Sequence, residues 1–167
     1  MSLSIIIPCK NEESTISFTY NFVKNKIKKK IRKYQFILVN DFSHDKTLEV
    51  LKNLSKKHKD ITVVNNVKLG LGGAINSGIK FSKFRYVAIM MADLSDDPKD
   101  LIRYYYEINE NKLDAVFGSR FLKNSKVIDY PFKKLIYNRI FNNLVKIIFF
   151  SNYNDFTNAF KIYDKKI

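Results

Sequence analysis

The chain's 167 residues are enough for one domain with its own core, and a hydrophobic share of 46% excludes a disordered tail. Lys and Arg number 30 against 16 Asp and Glu, and the net charge of +14 favours an anionic partner: nucleic acid, a membrane face or a phosphorylated substrate. A Lys-, Asn- and Ile-rich background composition accounts for the same excess. The single cysteine, Cys9, excludes an internal disulfide and fits a reducing compartment. No signal peptide is expected before the first strand, and no apolar run reaches the ~18 residues of a membrane span.

Residues 3–7 read as a short buried strand stopped by Pro8. Residues 13–31 read as a helix, polar at its start and lysine-rich at its end, as the helix dipole favours. A second strand follows over 34–39. A second helix, 44–57, carries Leu48, Val50, Leu51 and Leu54 as its apolar stripe. The third strand covers 61–64, and the third helix, 71–83, is entered through a glycine-rich turn. Residues 85–91 form a fourth strand, 98–109 a helix and 114–118 a fifth strand. This repetition predicts an α/β fold, a mostly parallel central sheet with helices on both faces.

Past Gly118 the pattern changes. Residues 131–150 read as a longer amphipathic helix, with Ile136, Ile140, Leu144, Ile147 and Ile148 on one face. Asn138, Arg139, Asn142 and Lys146 fall on the other. Such a helix packs on the sheet, or lies at a membrane surface with its basic residues toward anionic headgroups. Residues 159–163 are strand-like. No repeat or linker interrupts residues 1–167, so a single domain is expected.

The chemistry-bearing residues gather where strands end. After the first strand comes Pro8-Cys9-Lys10-Asn11-Glu12-Glu13-Ser14, which simple capping explains, with Asn11 as the cap and carboxylates in the first turn. After the second comes Asn40-Asp41-Phe42-Ser43-His44-Asp45; Asp41 can accept from a nucleobase N–H, while Ser43 or Asp45 caps the helix. The turn Gly70-Leu71-Gly72-Gly73 lets backbone approach a ligand, but it fails as a dinucleotide fingerprint: the sixth position is Ile75, and the turn follows the third strand. It lacks the Gly-Lys-Ser/Thr ending of a phosphate-loop ATPase. After the fourth strand come Asp93, Ser95, Asp96 and Asp97-Pro98. Helix capping explains Asp97 and Asp100 but neither Asp93 nor Ser95, which suit a divalent cation on a phosphate. Arg120, just past the fifth strand, suits a phosphate or a surface salt bridge.

Taken in order, residues 4–13, 39–43, 70–78, 92–95, 118–120 and 155–163 resemble the family 2 glycosyltransferases of the GT-A fold. The likeness is greatest to the polyprenyl-phosphate sugar transferases. That resemblance implies inverting transfer of a sugar from a GDP- or UDP-sugar to an acceptor, a polyprenyl phosphate in this branch, at the cytoplasmic face of a membrane. It implies that Pro8, Asn11, Glu12, Asp41, Gly70, Gly72 and Gly73 line the nucleotide-sugar pocket. Asp93 ligates Mg2+ or Mn2+ with Ser95 beside it, and Arg120, Lys134 and Arg139 contact the acceptor phosphate. Catalysis is assigned to Asp93 and Arg120. An anionic acceptor needs no strong base; a hydroxyl acceptor needs one, and Asp96, Asp97 and Asp129 are the candidates.

Two positions depart from the family pattern. Met91 stands where the first carboxylate of an Asp-x-Asp metal motif belongs, with Asp96 or Asp97 as compensating groups. Asn40-Asp41-Phe42-Ser43 replaces Asp-Asp-Gly-Ser. The chain also ends before the further strand and helix usual in this branch, as a fragment or truncated form does. An inactive nucleotide-sugar binding module is the alternative. No nucleic-acid partner is expected, because no recognition motif accompanies the charge.

Overall fold

The computed structural model describes residues 2–122 and 132–166; the side chains of Phe132 and Lys134 lie outside this description. The elements run β1 (Ser2–Cys9), α1 (Ile16–Ile27), β2 (Lys33–Asn40), α2 (Thr47–Lys57), β3 (Ile61–Asn65), α3 (Leu71–Phe81), β4 (Tyr86–Ile89), α4 (Pro98–Glu110), β5 (Ala115–Phe117), α5 (Phe132–Ile148) and β6 (Lys161–Asp164). Contacts divide the chain into two compact units, Met1–Val116 with Phe160–Ile167, and Phe117–Ala159.

The first unit holds the sheet, ordered β3-β2-β1-β4-β6-β5. β1, β2, β3 and β4 are parallel, and β6 runs antiparallel to β4. Alternation along the strands sorts the core into two layers. Leu3, Ile5, Ile7, Phe36, Leu38 and Ala88 face α1, α2 and α4, where Tyr20, Val23, Leu51, Leu101 and Tyr105 complete the larger core. Ile6, Ile37, Val39, Val64 and Val87 face the opposite way and bury Ala74 of α3. Helices therefore cover both faces, as the alternating pattern predicts.

Several boundaries differ from expectation, each for a local reason. β1 does not stop at Pro8; it runs through it to Cys9. The Ile6 carbonyl accepts from the Met90 amide and the Cys9 carbonyl from the Asp41 amide. Alternate residues thus face β4 and β2, which puts the Pro8 nitrogen on the β4 side, past the last pair, Ile6 with Ile89. No ladder bond is lost there. α1 starts at Ile16 rather than Glu13, because the preceding residues are held by the loop after β2. α3 ends at Phe81, where Ser82 turns extended. The C-terminal strand was visible in the pattern, but its insertion between β4 and β5 was not.

α5 buries one residue of its polar face and exposes much of its apolar face. Asn142, from the polar face, is 1% exposed, whereas Ile140, Leu144 and Ile147 are 53%, 53% and 69% exposed. The Asn142 side-chain amide donates to the Asn138 carbonyl and the Thr157 hydroxyl, and its oxygen accepts from the Thr157 amide. Polar partners at Thr157 draw Asn142 inward, while Arg139 and Lys146 of the same face stay exposed together with the apolar residues.

Candidate active site

The chain visits β1, β2 and β3 on one side of the sheet and then crosses to β4 on the other side of β1. This order reversal opens a crevice at the carboxyl ends of β1 and β4, where α/β sheets bind ligands. The loops after β1, β2 and β4 all emerge at that end.

The loops after β1 and β2 are stitched together. The Asn11 amide donates to the Ser43 hydroxyl at 3.1 Å, and the Asn11 side-chain oxygen accepts from the His44 amide at 2.9 Å. The Glu12 amide donates to the Thr47 hydroxyl at 2.7 Å, and the Glu12 carboxylate receives the Thr15 hydroxyl. Glu13 and Asp45 exchange bonds across the same seam: the Glu13 amide donates to Asp45, and the Lys46 amide to Glu13. Asn11 is therefore a cross-loop clamp. It does not cap α1, whose N-cap is Thr15 and whose first turn holds no acid. Nor do Ser43 and Asp45 occupy the N-cap of α2, which is Lys46, although Asp45 accepts from the Thr47 amide. Burial opposes the charge on Asp45, yet hydrogen bonds from Thr47 and Glu13 outweigh it and hold its pKa below the ordinary value. Pro8 and Cys9 are buried beneath this seam, and burial pushes the Cys9 thiol above its ordinary pKa.

Asp41 is 4% exposed and ties the loop after β2 to the loop after β3. Its Oδ1 accepts from the Asn66 side chain at 2.6 Å and from the Gly70 amide at 3.0 Å, and its Oδ2 lies 3.2 Å from that amide. Asn66 is the hub, also donating to the Lys68 carbonyl and accepting from the Ser77 hydroxyl. It was legible only as a polar residue near the glycines. Gly70 takes φ 103°, which only glycine adopts without strain. At Gly73 a Cβ would fall 1.7 Å from the Lys68 carbonyl oxygen, whereas at Gly72 nothing stands within 4 Å. These two adjacent glycines differ in what folding demands of them. Gly73→Ala is expected to collapse the loop and lower the melting temperature. Gly72→Ala is expected to hold folding stability or raise it by up to about 1 kcal/mol of helix propensity. Thermal melts and calorimetry on both variants check this.

Asp93 is exposed on the turn after β4. The turn is fixed from three directions. The Thr19 hydroxyl of α1 donates to the Ala92 carbonyl at 2.6 Å, the Met91 amide donates to Asp96 at 2.9 Å, and the Ser95 amide donates to Asp93 Oδ1 at 3.0 Å. Leu94 takes φ 58° between them. Asp96 is thus turned back onto Met91, and Asp97 caps α4 by accepting from the Lys99 amide. Asp96 and Asp97, the candidates to replace the carboxylate that Met91 displaces, each accept from a backbone amide, as Asp93 does. Thr19, which pins the turn, gave no signal in the sequence because it lies 73 residues from Ala92. Among the described residues no group of three or more His, Cys, Asp or Glu side chains could enclose a metal. One open carboxylate still fits Mg2+ or Mn2+ shared with a diphosphate, since Mg2+ is commonly held by one or two carboxylates plus substrate phosphates.

In the second unit, Arg120 is not a free cation. Its backbone amide and Nε donate to Asp155 Oδ2 at 2.8 and 2.9 Å, and Nη2 donates to Asp155 Oδ1 at 2.6 Å and to Thr157 at 2.8 Å. Asp155 is fully buried. The Arg120 and Arg139 guanidiniums stand 5.4 and 5.5 Å from the Phe121 ring centroid, so two of the three acceptor candidates converge on one ring. The Lys134 side chain and Asp129 lie outside the described residues.

Known proteins share this chain's sequence pattern and its fold. The glycosyl transferase family 2 model matches residues 4–167. The chain is 31% identical over 137 residues to a dolichol-phosphate mannosyltransferase of Pyrococcus furiosus, covering 81% of this chain and 38% of that protein. It is 31% identical over 120 residues to a poly(ribitol-phosphate) beta-glucosyltransferase of Bacillus spizizenii, covering 71% of this chain and 19% of that one. The chain thus spans well under half the length of both. Among solved structures, it superposes on glucosyl-3-phosphoglycerate synthase from Mycobacterium tuberculosis, bound to Mn2+, UDP and glucosyl-3-phosphoglycerate. The TM-score is 0.70 at 13% identity, covering 99% of this chain and 57% of that one. It also superposes on S. aureus TarS 1-349 with a TM-score of 0.63 at 21% identity, covering 99% of this chain and 47% of that one. With its largely parallel sheet flanked by helices, in the manner of the GT-A fold, the chain belongs to glycosyl transferase family 2.

Proposed function

We propose that the chain carries the nucleotide-sugar site of an inverting glycosyltransferase whose acceptor is a polyprenyl phosphate. The observation that carries this reading is the pairing, at one end of the sheet, of a buried, clamped Asp41 with an open Asp93 on a braced turn. Asp41 meets the edge of the base. Pro8, Asn11 and Glu12 wall the nucleotide, and Gly70 to Gly73 bring backbone close to the diphosphate and sugar. Asp93, with Ser95 beside it, holds Mg2+ or Mn2+, which when bound neutralises charge on the departing diphosphate. A lipid phosphate is already an anionic nucleophile. Positioning is then the main task, and Arg120 and Arg139 are the groups that meet it.

α5 supports the lipid acceptor. Its exposed Ile140, Leu144 and Ile147, with Phe150 just beyond it, lie among Lys133, Arg139 and Lys146, a composition suited to the anionic cytoplasmic face of a membrane. Among the described residues no helix is long and apolar enough to cross a membrane. Two named relatives bear on the chemistry: one is a dolichol-phosphate mannosyltransferase, and a mannosyltransferase from Pyrobaculum calidifontis was solved with GDP-Man and Mn2+.

The test offers labelled GDP- and UDP-sugars with Mn2+ to polyprenyl phosphate, to polyprenol and to soluble glycans. A lipid-linked sugar formed only on the phosphate is the expected product. Transfer to hydroxyl acceptors alone, or none from any donor, rejects the reading. Nucleotide binding without turnover would favour an inactive binding module, the reading that Met91 motivates.

A further inference from the structure

We infer that Phe42 is the stacking platform for the donor's nucleobase, a role that rests on the reading of Asp41 as the base contact. Phe42 combines three properties that folding alone does not ask for. Its φ is 53°, a left-handed conformation that is a genuine outlier for a bulky side chain. Its side chain is 46% exposed and belongs to neither core layer. Its backbone is nevertheless fixed on both sides. The Asp41 amide donates to the Cys9 carbonyl at 2.8 Å, and the Ser43 amide to the Asn40 side chain at 3.4 Å. The Ser43 hydroxyl donates to the Cys9 carbonyl at 3.3 Å and accepts from the Asn11 amide at 3.1 Å. A strained, rigidly mounted aromatic ring in water is what a stacking surface requires, and strain of this kind concentrates at ligand sites.

The surroundings specify the ligand class. Asp41 bonds the Gly70 amide, and the residues flanking Gly70, Leu69 and Leu71, are 62% and 42% exposed. A carboxylate acceptor thus stands next in the chain to the exposed Phe42 ring and bonds a loop that exposes two leucines. The complement is a flat heteroaromatic ring with an N–H on its edge, which is a nucleobase. Stacking tolerates any base, so Phe42 supplies affinity while Asp41 reads the edge.

The chain has no tryptophan, so Phe42→Trp gives a single tryptophan, excited selectively at the red edge of the tyrosine band. UDP or GDP with Mn2+ is expected to quench it, and pyrophosphate with ribose 5-phosphate is not. Phe42→Gly relieves the backbone strain, so it is expected to keep or raise the melting temperature while weakening nucleotide binding by about tenfold or more in calorimetry. A merely structural Phe42 would give the opposite pairing. If wild type binds nucleotide but the Trp emission does not change, or Phe42→Gly binds as tightly as wild type, stacking is rejected and the Asp41 reading stands. If wild type binds no nucleotide, both fall together.

Discussion

If Asp93 holds the metal as proposed, Asp93→Asn is expected to lower sugar transfer by about a hundredfold or more while leaving folding stability within about 0.5 kcal/mol of wild type. The side chain is exposed, so no core contact is lost. Asparagine keeps an oxygen for the Ser95 amide, so the turn stays closed while the charge disappears. What is lost is the open carboxylate of the turn, while Asp96 still holds the Met91 amide and Asp97 the Lys99 amide. Mn2+ binding in the presence of UDP, followed by electron paramagnetic resonance, should weaken in parallel with the rate. Asp97→Asn is the control. It alters the cap of α4, at a cost of up to about 1 kcal/mol, and leaves the rate alone. Full activity in Asp93→Asn would remove Asp93 from the chemistry.

Asp155 is expected to give the largest loss of stability. It is fully buried and takes three donors from Arg120, whose side chain is 27% exposed. Removing one member of a buried pair strands the other at about 3–5 kcal/mol. Arg120 keeps Thr157 and some water, so Asp155→Ala should fall toward the lower end, about 3 kcal/mol, in urea denaturation. Asp155→Asn keeps the shape and one acceptor and should cost less, which leaves a folded variant for kinetics. If Arg120 meets the acceptor phosphate, that variant raises the acceptor KM more than it lowers kcat. If the pair is only structural, the two constants move little once the protein is folded. The double replacement Arg120→Met with Asp155→Leu should recover much of the stability and none of the transfer, since an apolar pair fills the space without the charge.

Asp155 also shows how the sequence reading of Arg120 was incomplete. The arginine stood just after a strand, in position for a phosphate or a salt bridge. Its partner lies 35 residues away, and spacing along a chain carries no information about such a contact. The same limit explains Asn11. Before a helix it looks like a cap, and only the loop after β2, brought alongside by the parallel pairing of β1 and β2, turns it into a clamp.

α5 is the case where periodicity was right but did not say which residues would be buried. The apolar residues do share a face, as the spacing predicts. Which face is buried depends on what the rest of the unit offers, and it offers Thr157 to Asn142. A helical period fixes the stripe but not its partner.

The sequence by itself determined the α/β class, the strand-helix order, the strand-end positions of Asp41 and Asp93 and the membership of the family. These follow from local patterns: alternation, helical period, and a polar break after each apolar run. Tertiary structure alone decided the insertion of β6 beside β4, the clamping of Asp41 by Asn66 and Gly70, the pinning of the Asp93 turn by Thr19 and the capture of Arg120 by Asp155. Each of these joins residues far apart in the chain. The hydrogen bonds that make a carboxylate a binding group or a brace exist only once the strands have set their loops side by side.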